Sequence, residues 1–89
     1  MANFLIEMSH TPQQCMQDLD QMVEHSPELL KNTSWGCMAG NHTGWAMVEA
    51  GNESDARNMV PPAIRDQVKI TEVQKFTADQ FRAMHQMAA

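Results

Sequence analysis

Basic residues are scarce in this chain: six Lys and Arg stand against eleven Asp and Glu, a net charge of −5. Nothing in it resembles a basic stripe that neutralises phosphates, which argues against nucleic acid as a partner. The same balance argues against an anionic membrane surface. Cysteine is scarce too. The chain has only Cys15 and Cys37, too few for a disulfide-dense scaffold. Long apolar runs are missing, and no stretch approaches the ~20 residues of a membrane span. The opening Met-Ala-Asn-Phe-Leu-Ile-Glu carries no basic leader, and its apolar run is too short for a signal peptide. A cytoplasmic location is therefore expected, where thiols stay reduced. There the two cysteines read as buried thiols, ligands or redox groups rather than as a staple.

What is present is a globular composition, 43% apolar and 19% charged over 89 residues. That length implies one domain, 1–89, without linker, repeat or low-complexity segment. So short a chain buries a modest share of its surface, and a partner subunit would add stability. The nine methionines read as soft core filler, with a few available to line an adaptable pocket.

Phe4, Ile6 and Met8 alternate with Asn3, Glu7 and Ser9, which predicts a first strand with one buried face. Thr11-Pro12-Gln13-Gln14 predicts a helix start, with Thr11 as N-cap and Gln14 completing a capping box. Cys15, Leu19, Met22 and Val23 are its expected buried stripe. Ser26-Pro27 interrupts the helix. Residues 33–38 and 43–50 predict two strands joined by Ala39-Gly40-Asn41-His42, where Gly and Asn tolerate positive φ. A short helix over 53–59, a stop at Pro61-Pro62 and a turn through 63–66 follow. Residues 68–75 predict the last strand. Thr77 and Gln80 form a second capping box, with Phe76 and Phe81 at the positions of a hydrophobic staple. The final helix carries Phe81, Met84 and Met87 along one side, to cover the domain or to reach a partner.

This order is an α+β fold, the ferredoxin-like βαββαβ antiparallel sheet with helices on one face plus a C-terminal helix. Ala46, Val48 and Ala50 suit the face on which a helix presses closely. Leu5, Trp45, Met47 and Val73 are left on the other. A bare apolar sheet face usually finds a partner, which points to a two-fold homodimer packed sheet to sheet.

In such a fold the first and second strands end where the third begins. His10 ends strand one, Cys37 lies near the end of strand two, His42 begins strand three, and Cys15 sits in the first helical turn above that edge. His10 and Cys15 occupy the two staple positions, whose side chains commonly touch. A two- or four-residue hairpin loop puts Cys37 and His42 on one face. His-x4-Cys and Cys-x4-His thus form two arms aimed at one space. Thiolate and imidazole are ligands of zinc, nickel and copper, so His10, Cys15, Cys37 and His42 are candidate metal ligands. The spacing is not that of a zinc finger. The plainer alternative is inert core cysteines and hydrogen-bonded edge histidines.

Two other chemistries use the same residues. Cys15, near a helix N-terminus and beside His10, would then have a lowered pKa and act as a nucleophile, with Cys37 resolving it as a disulfide; burial in an apolar setting would instead raise its pKa. A cleft between sheet and helices, lined by Phe4, Trp35 and methionines such as Met38, would take a small-molecule ligand, with His42 or His10 as acid or base. Simple packing is the competing reading of Trp35 and Trp45. His25, His85, Asp18, Asp20, Glu24 and Glu28 read as solvated.

The segment from His10 to Cys15 and the run Trp35-Gly-Cys-Met-Ala-Gly-Asn-His-Thr-Gly-Trp45 resemble those of a small bacterial family of uncharacterised proteins. Met59-Val-Pro-Pro and Lys75-Phe-Thr are similar in the same way, so the resemblance spans nearly the whole chain. More distantly the layout is similar to small ferredoxin-like nickel-binding proteins and to dimeric α/β-barrel proteins. That resemblance implies dimerisation through the sheet. The metal ligands of those relatives do not map onto this sequence. Dimeric α/β barrels include isomerases, monooxygenases and non-catalytic binders, so fold alone does not choose. The leading expectation is a small binding protein with a transition-metal site. A small enzyme using the cleft, or an interaction module without a site, are the alternatives.

Overall fold

The structure, a computed structural model, describes residues 1–88. Strand β1 (Ala2–Ser9) leads through a 3-10 turn at Pro12–Gln14 into helix α1 (Cys15–His25). Helix α2 (Pro27–Lys31) follows, broken from α1 at Ser26 because Pro27 cannot continue the hydrogen-bond ladder. Strand β2 (Thr33–Trp35), strand β3 (Thr43–Ala50), helix α3 (Glu53–Arg57), a 3-10 segment at Pro62–Gln67, strand β4 (Val68–Val73) and helix α4 (Ala78–Ala88) complete the chain. The four strands form an antiparallel sheet in the order β2-β3-β1-β4.

Strand alternation sets the core. Phe4, Ile6 and Met8 of β1 and Ala46, Val48 and Ala50 of β3 are buried on one face. Met22 of α1, Leu29 of α2, Ala56 of α3 and Ile64 pack onto that face and close a single cluster. The expected small residues of β3 lie where α3 comes against the sheet, and Ala56 there is fully buried. Val23, expected in the buried stripe of α1, is instead 61% exposed. Met22 is the buried residue at that turn, and Val23, about 100° further round the helix, faces solvent.

Both capping boxes form. Thr11 and Gln14 exchange backbone-to-side-chain hydrogen bonds of 3.3 Å, and Thr77 and Gln80 exchange bonds of 2.9 and 3.1 Å. The segment between α3 and β4 is held by two arginines. Arg57 Nη1 donates to the carbonyls of Arg65 and Val68 at 2.9 and 3.3 Å. Arg65 donates from Nε and Nη2 to Val60 O at 3.1 and 2.8 Å, and from Nη2 to Asn58 O at 3.2 Å. These bonds satisfy carbonyls that a proline-rich irregular segment leaves without partners.

The second face of the sheet is open. Met47 is 52% exposed, and Leu5, Trp45 and Val73 are only partly buried. Helix α4 does not cover this face. Residues 74–87 are all exposed, with Phe81 and Met84 presenting apolar surface to solvent. The two faces predict different sensitivities. Ile6→Ala should cost about 2–5 kcal/mol in urea unfolding, as core truncations do. Met47→Ala should stay within ~0.5 kcal/mol for the isolated chain. Equal losses would contradict the assignment of faces.

Candidate metal centre

The site is built at the end of the sheet where β1 and β2 finish and β3 starts. The β1–β3 register ends on the pair Ser9–Thr43. One step further, the His10 N–H donates to the His42 carbonyl at 3.0 Å. The β2–β3 register ends on the pair Trp35–Gly44. Here too the ladder runs one step on, with Gly36 N–H donating to Thr43 O at 2.9 Å. Continuing the β1–β3 register sets His10 beside His42, on the face of the sheet that carries the core.

Strand β2 is shorter than the expected 33–38. It stops at Trp35, and Cys37–Ala39 forms a 3-10 turn. Gly36 is the reason: a Cβ there would sit 2.8 Å from the Asn41 carbonyl oxygen. The chain turns back tightly at that point, and Asn41 N–H donates to Gly36 O at 3.0 Å. Gly40 ends the turn with φ of 88°, while Asn41, also expected to exploit positive φ, does not. The turn swings Cys37 inward and leaves Met38 fully exposed.

From above, the Thr11 capping box and the 3-10 turn at Pro12–Gln14 deliver Cys15 as the first residue of α1. Cys15 Sγ lies 3.8 Å from Cys37 Sγ, and Cys37 Sγ lies 3.6 Å from His10 Nε2. The His10 and His42 rings are 5.4 Å apart, nearly edge to face. One ligand atom from each of His10, Cys15, Cys37 and His42 falls within 4.8 Å of every other. The four residues singled out in the sequence therefore form one group, close enough to bind a single metal ion. All four are half-buried.

No family model, curated protein or solved structure matches the chain. The reading of the site thus rests on its own geometry.

Three buried nitrogens around the group lack a partner in the protein: His10 Nδ1, His42 Nδ1 and Trp35 Nε1. Buried polar atoms are almost always paired, so three in one place mark a site that expects something more. Trp35 packs beside the site rather than lining a cleft. Its ring lies 6.2 Å from the His10 ring and rests on Gly44, where a Cβ would meet it at 2.6 Å. Asp18, expected to be solvated, is half-buried. Burial pushes its carboxyl pKa up, and the nearby His10 pulls it partly back. Its place one helical turn after Cys15 was the available signal. The lowered pKa expected for Cys15 is reversed. Partial burial raises it, and the Cys37 sulfur and the Asp18 carboxylate add to the rise.

The cleft chemistry finds little support. A groove of about 700 Å³ opens at the start of α2, along β3 and against residues 58–65. Two smaller hollows lie near Asn3 and Val73. None of the three is lined by His10, His42, Phe4, Trp35 or Met38. Phe4 belongs to the core instead.

Gly44→Ala tests how the site is supported. The new methyl group must displace the Trp35 ring, so the tryptophan emission should shift and the protein should lose about 1–3 kcal/mol. An unchanged spectrum would show that Trp35 is not held against β3.

Proposed function

We propose that this protein is a small metal-binding protein whose His10, Cys15, Cys37 and His42 hold one zinc ion. One observation carries the reading: one ligand atom from each of the four residues lies within 4.8 Å of every other, and two of these separations equal the edges of a tetrahedron around zinc. With Zn–S near 2.3 Å and Zn–N near 2.0–2.1 Å, a regular tetrahedron has S···S edges of about 3.8 Å and S···N edges of about 3.6 Å. The corresponding separations here are 3.8 Å between the sulfurs and 3.6 Å between Cys37 Sγ and His10 Nε2. The other separations lie within 4.8 Å, so the ligands close in by at most about 1.5 Å to coordinate an ion.

A tetrahedral S2N2 set favours zinc over nickel(II), which tends to a tetragonal arrangement, and the soft sulfurs keep copper(I) as the competing ion. Four protein ligands leave no open position for substrate, so the reading is of a binding or structural site rather than a catalytic one.

Protein purified without a histidine tag should carry or take up one zinc per chain. Zinc at one hundred times Kd adds about 2.7 kcal/mol, which for a chain of this size raises Tm by roughly 10 °C or more. Thiols bind zinc as thiolates and are mostly protonated at neutral pH, so uptake should release protons and affinity should rise with pH. Cys37→Ser should weaken binding by more than the ~10–100-fold typical of losing an outer hydrogen-bond partner. A protein whose melting ignores zinc, nickel and copper(I) alike would end the proposal.

The strand order β2-β3-β1-β4 supports placing the fold in the ferredoxin-like class. We further propose that the open sheet face meets a second copy of this chain. The chain carries two unpartnered apolar surfaces, the face with Leu5, Trp45 and Met47 and the side of α4 with Phe81 and Met84. A two-fold dimer covers both with nothing but itself. Sedimentation at micromolar concentration should show a dimer that Met47→Glu dissociates; a monomer would refute it.

A further inference from the structure

The two sulfurs of the site have a second chemistry open to them, and it competes with metal. We infer that Cys15 and Cys37 are an oxidation site: a peroxide joins them as a disulfide, and that bond shuts the metal centre. The bond itself follows from the positions of the thiols; its consequence rests on the metal reading above.

The sulfurs are 3.8 Å apart across 22 residues of sequence. A disulfide places them at about 2.0 Å, so the gap to close is under about 2 Å. Cys37 rides on a 3-10 turn bounded by Gly36 and Gly40, between the ends of β2 and β3. Such a turn absorbs a small shift more readily than a strand or helix does. Both thiols are only partly buried, so an oxidant as small as hydrogen peroxide reaches them. The chain has no third cysteine, so each thiol has one intramolecular partner.

The chemistry balances with peroxide as the named oxidant. One thiol sulfur attacks a peroxide oxygen and the O–O bond breaks. A sulfenic acid forms, and the departing hydroxide takes the thiol proton and leaves as water. The second sulfur attacks the sulfenic sulfur, the S–S bond forms and the S–O bond breaks. The released oxygen leaves as a second water with the proton of the second thiol. Two thiols and one peroxide become one disulfide and two waters. A dithiol reductant reverses the reaction by thiol–disulfide exchange. In the disulfide neither sulfur carries the negative charge that a zinc ligand needs, and His10 and His42 alone do not make a tetrahedral site.

The test uses the whole chain, freed of metal with a chelator and treated with one equivalent of hydrogen peroxide. Intact mass should fall by two hydrogen atoms, free thiols should fall from two to none, and dithiothreitol should restore both. Cys15→Ser and Cys37→Ser should show no such loss of mass. Zinc titrated into the oxidised wild type should bind more than about 100-fold more weakly than into the reduced protein. Oxygen adducts in place of the mass loss, or thiols that survive the treatment, would overturn the inference and leave the metal reading intact. Equal zinc affinity in both forms would overturn the gating. A reduced protein that ignores zinc but closes its disulfide would overturn the metal reading and leave the oxidation site standing. These outcomes are read on the wild type, so they hold even where a serine variant fails to fold.

Discussion

The hydrogen bond from His10 N–H to the His42 carbonyl, 3.0 Å long, is the contact on which the rest of this end of the molecule depends. It extends the β1–β3 ladder one step past its last paired residues. Side chains alternate across a sheet, so a slip of one residue would send His10 to the opposite face from Met8 and Ile6. The buried faces of β1 and β3 hold that register in place: Ile6 and Ala46, paired across the strands, are both essentially inaccessible to solvent. The apolar core thus decides where the imidazoles point. The site inherits its precision from the packing below it rather than from its own contacts.

The surroundings of the site follow the same logic. Gly36 and Gly44 are the two places where bulk is removed, one to turn the chain and one to admit the Trp35 ring. The Thr11 capping box sets the start of α1, and with it the height of Cys15 above the sheet edge. The ligand-bearing positions come from a strand end, a helix start, a 3-10 turn and a strand start. No single local element holds two of them rigidly. Such a set assembles only when the whole fold assembles, and a metal bound across it would tie that edge together.

Elsewhere the fold handles its polar groups with little help from charge pairs. The ion pairs are mostly exposed helical neighbours such as Lys31 with Glu28 and Arg82 with Asp79, and such pairs contribute at most about 1 kcal/mol. Two of the six basic residues, Arg57 and Arg65, are spent on backbone carbonyls of the segment that carries the chain from α3 to β4. That segment lines the groove beside α2. β2 pairs with β3 only as far as Ala46, which leaves the later residues of β3 to border the groove without a strand on that side.

Much of this was legible in the sequence. Alternation in residues 3–9 and 43–50 marked both central strands and their buried faces, because period-2 burial needs only local information. Thr11/Gln14 and Thr77/Gln80 marked two helix starts, because a capping box is a contact within four residues. Chain order pointed to His10, Cys15, Cys37 and His42 at one edge, and strand parity to His10 and His42; Cys37 reaches them on a 3-10 turn rather than on the strand expected there. Tertiary structure alone decided the rest. The end of β2 at Trp35 depends on the Asn41 carbonyl approaching Gly36. The upward shift of the Cys15 pKa depends on burial and on a sulfur 22 residues away. The roles of Arg57 and Arg65 depend on carbonyls that only the folded segment leaves bare. Spacing can specify which residues share an edge; distances, burial and electrostatic surroundings arise from long-range packing, which no short window of residues contains.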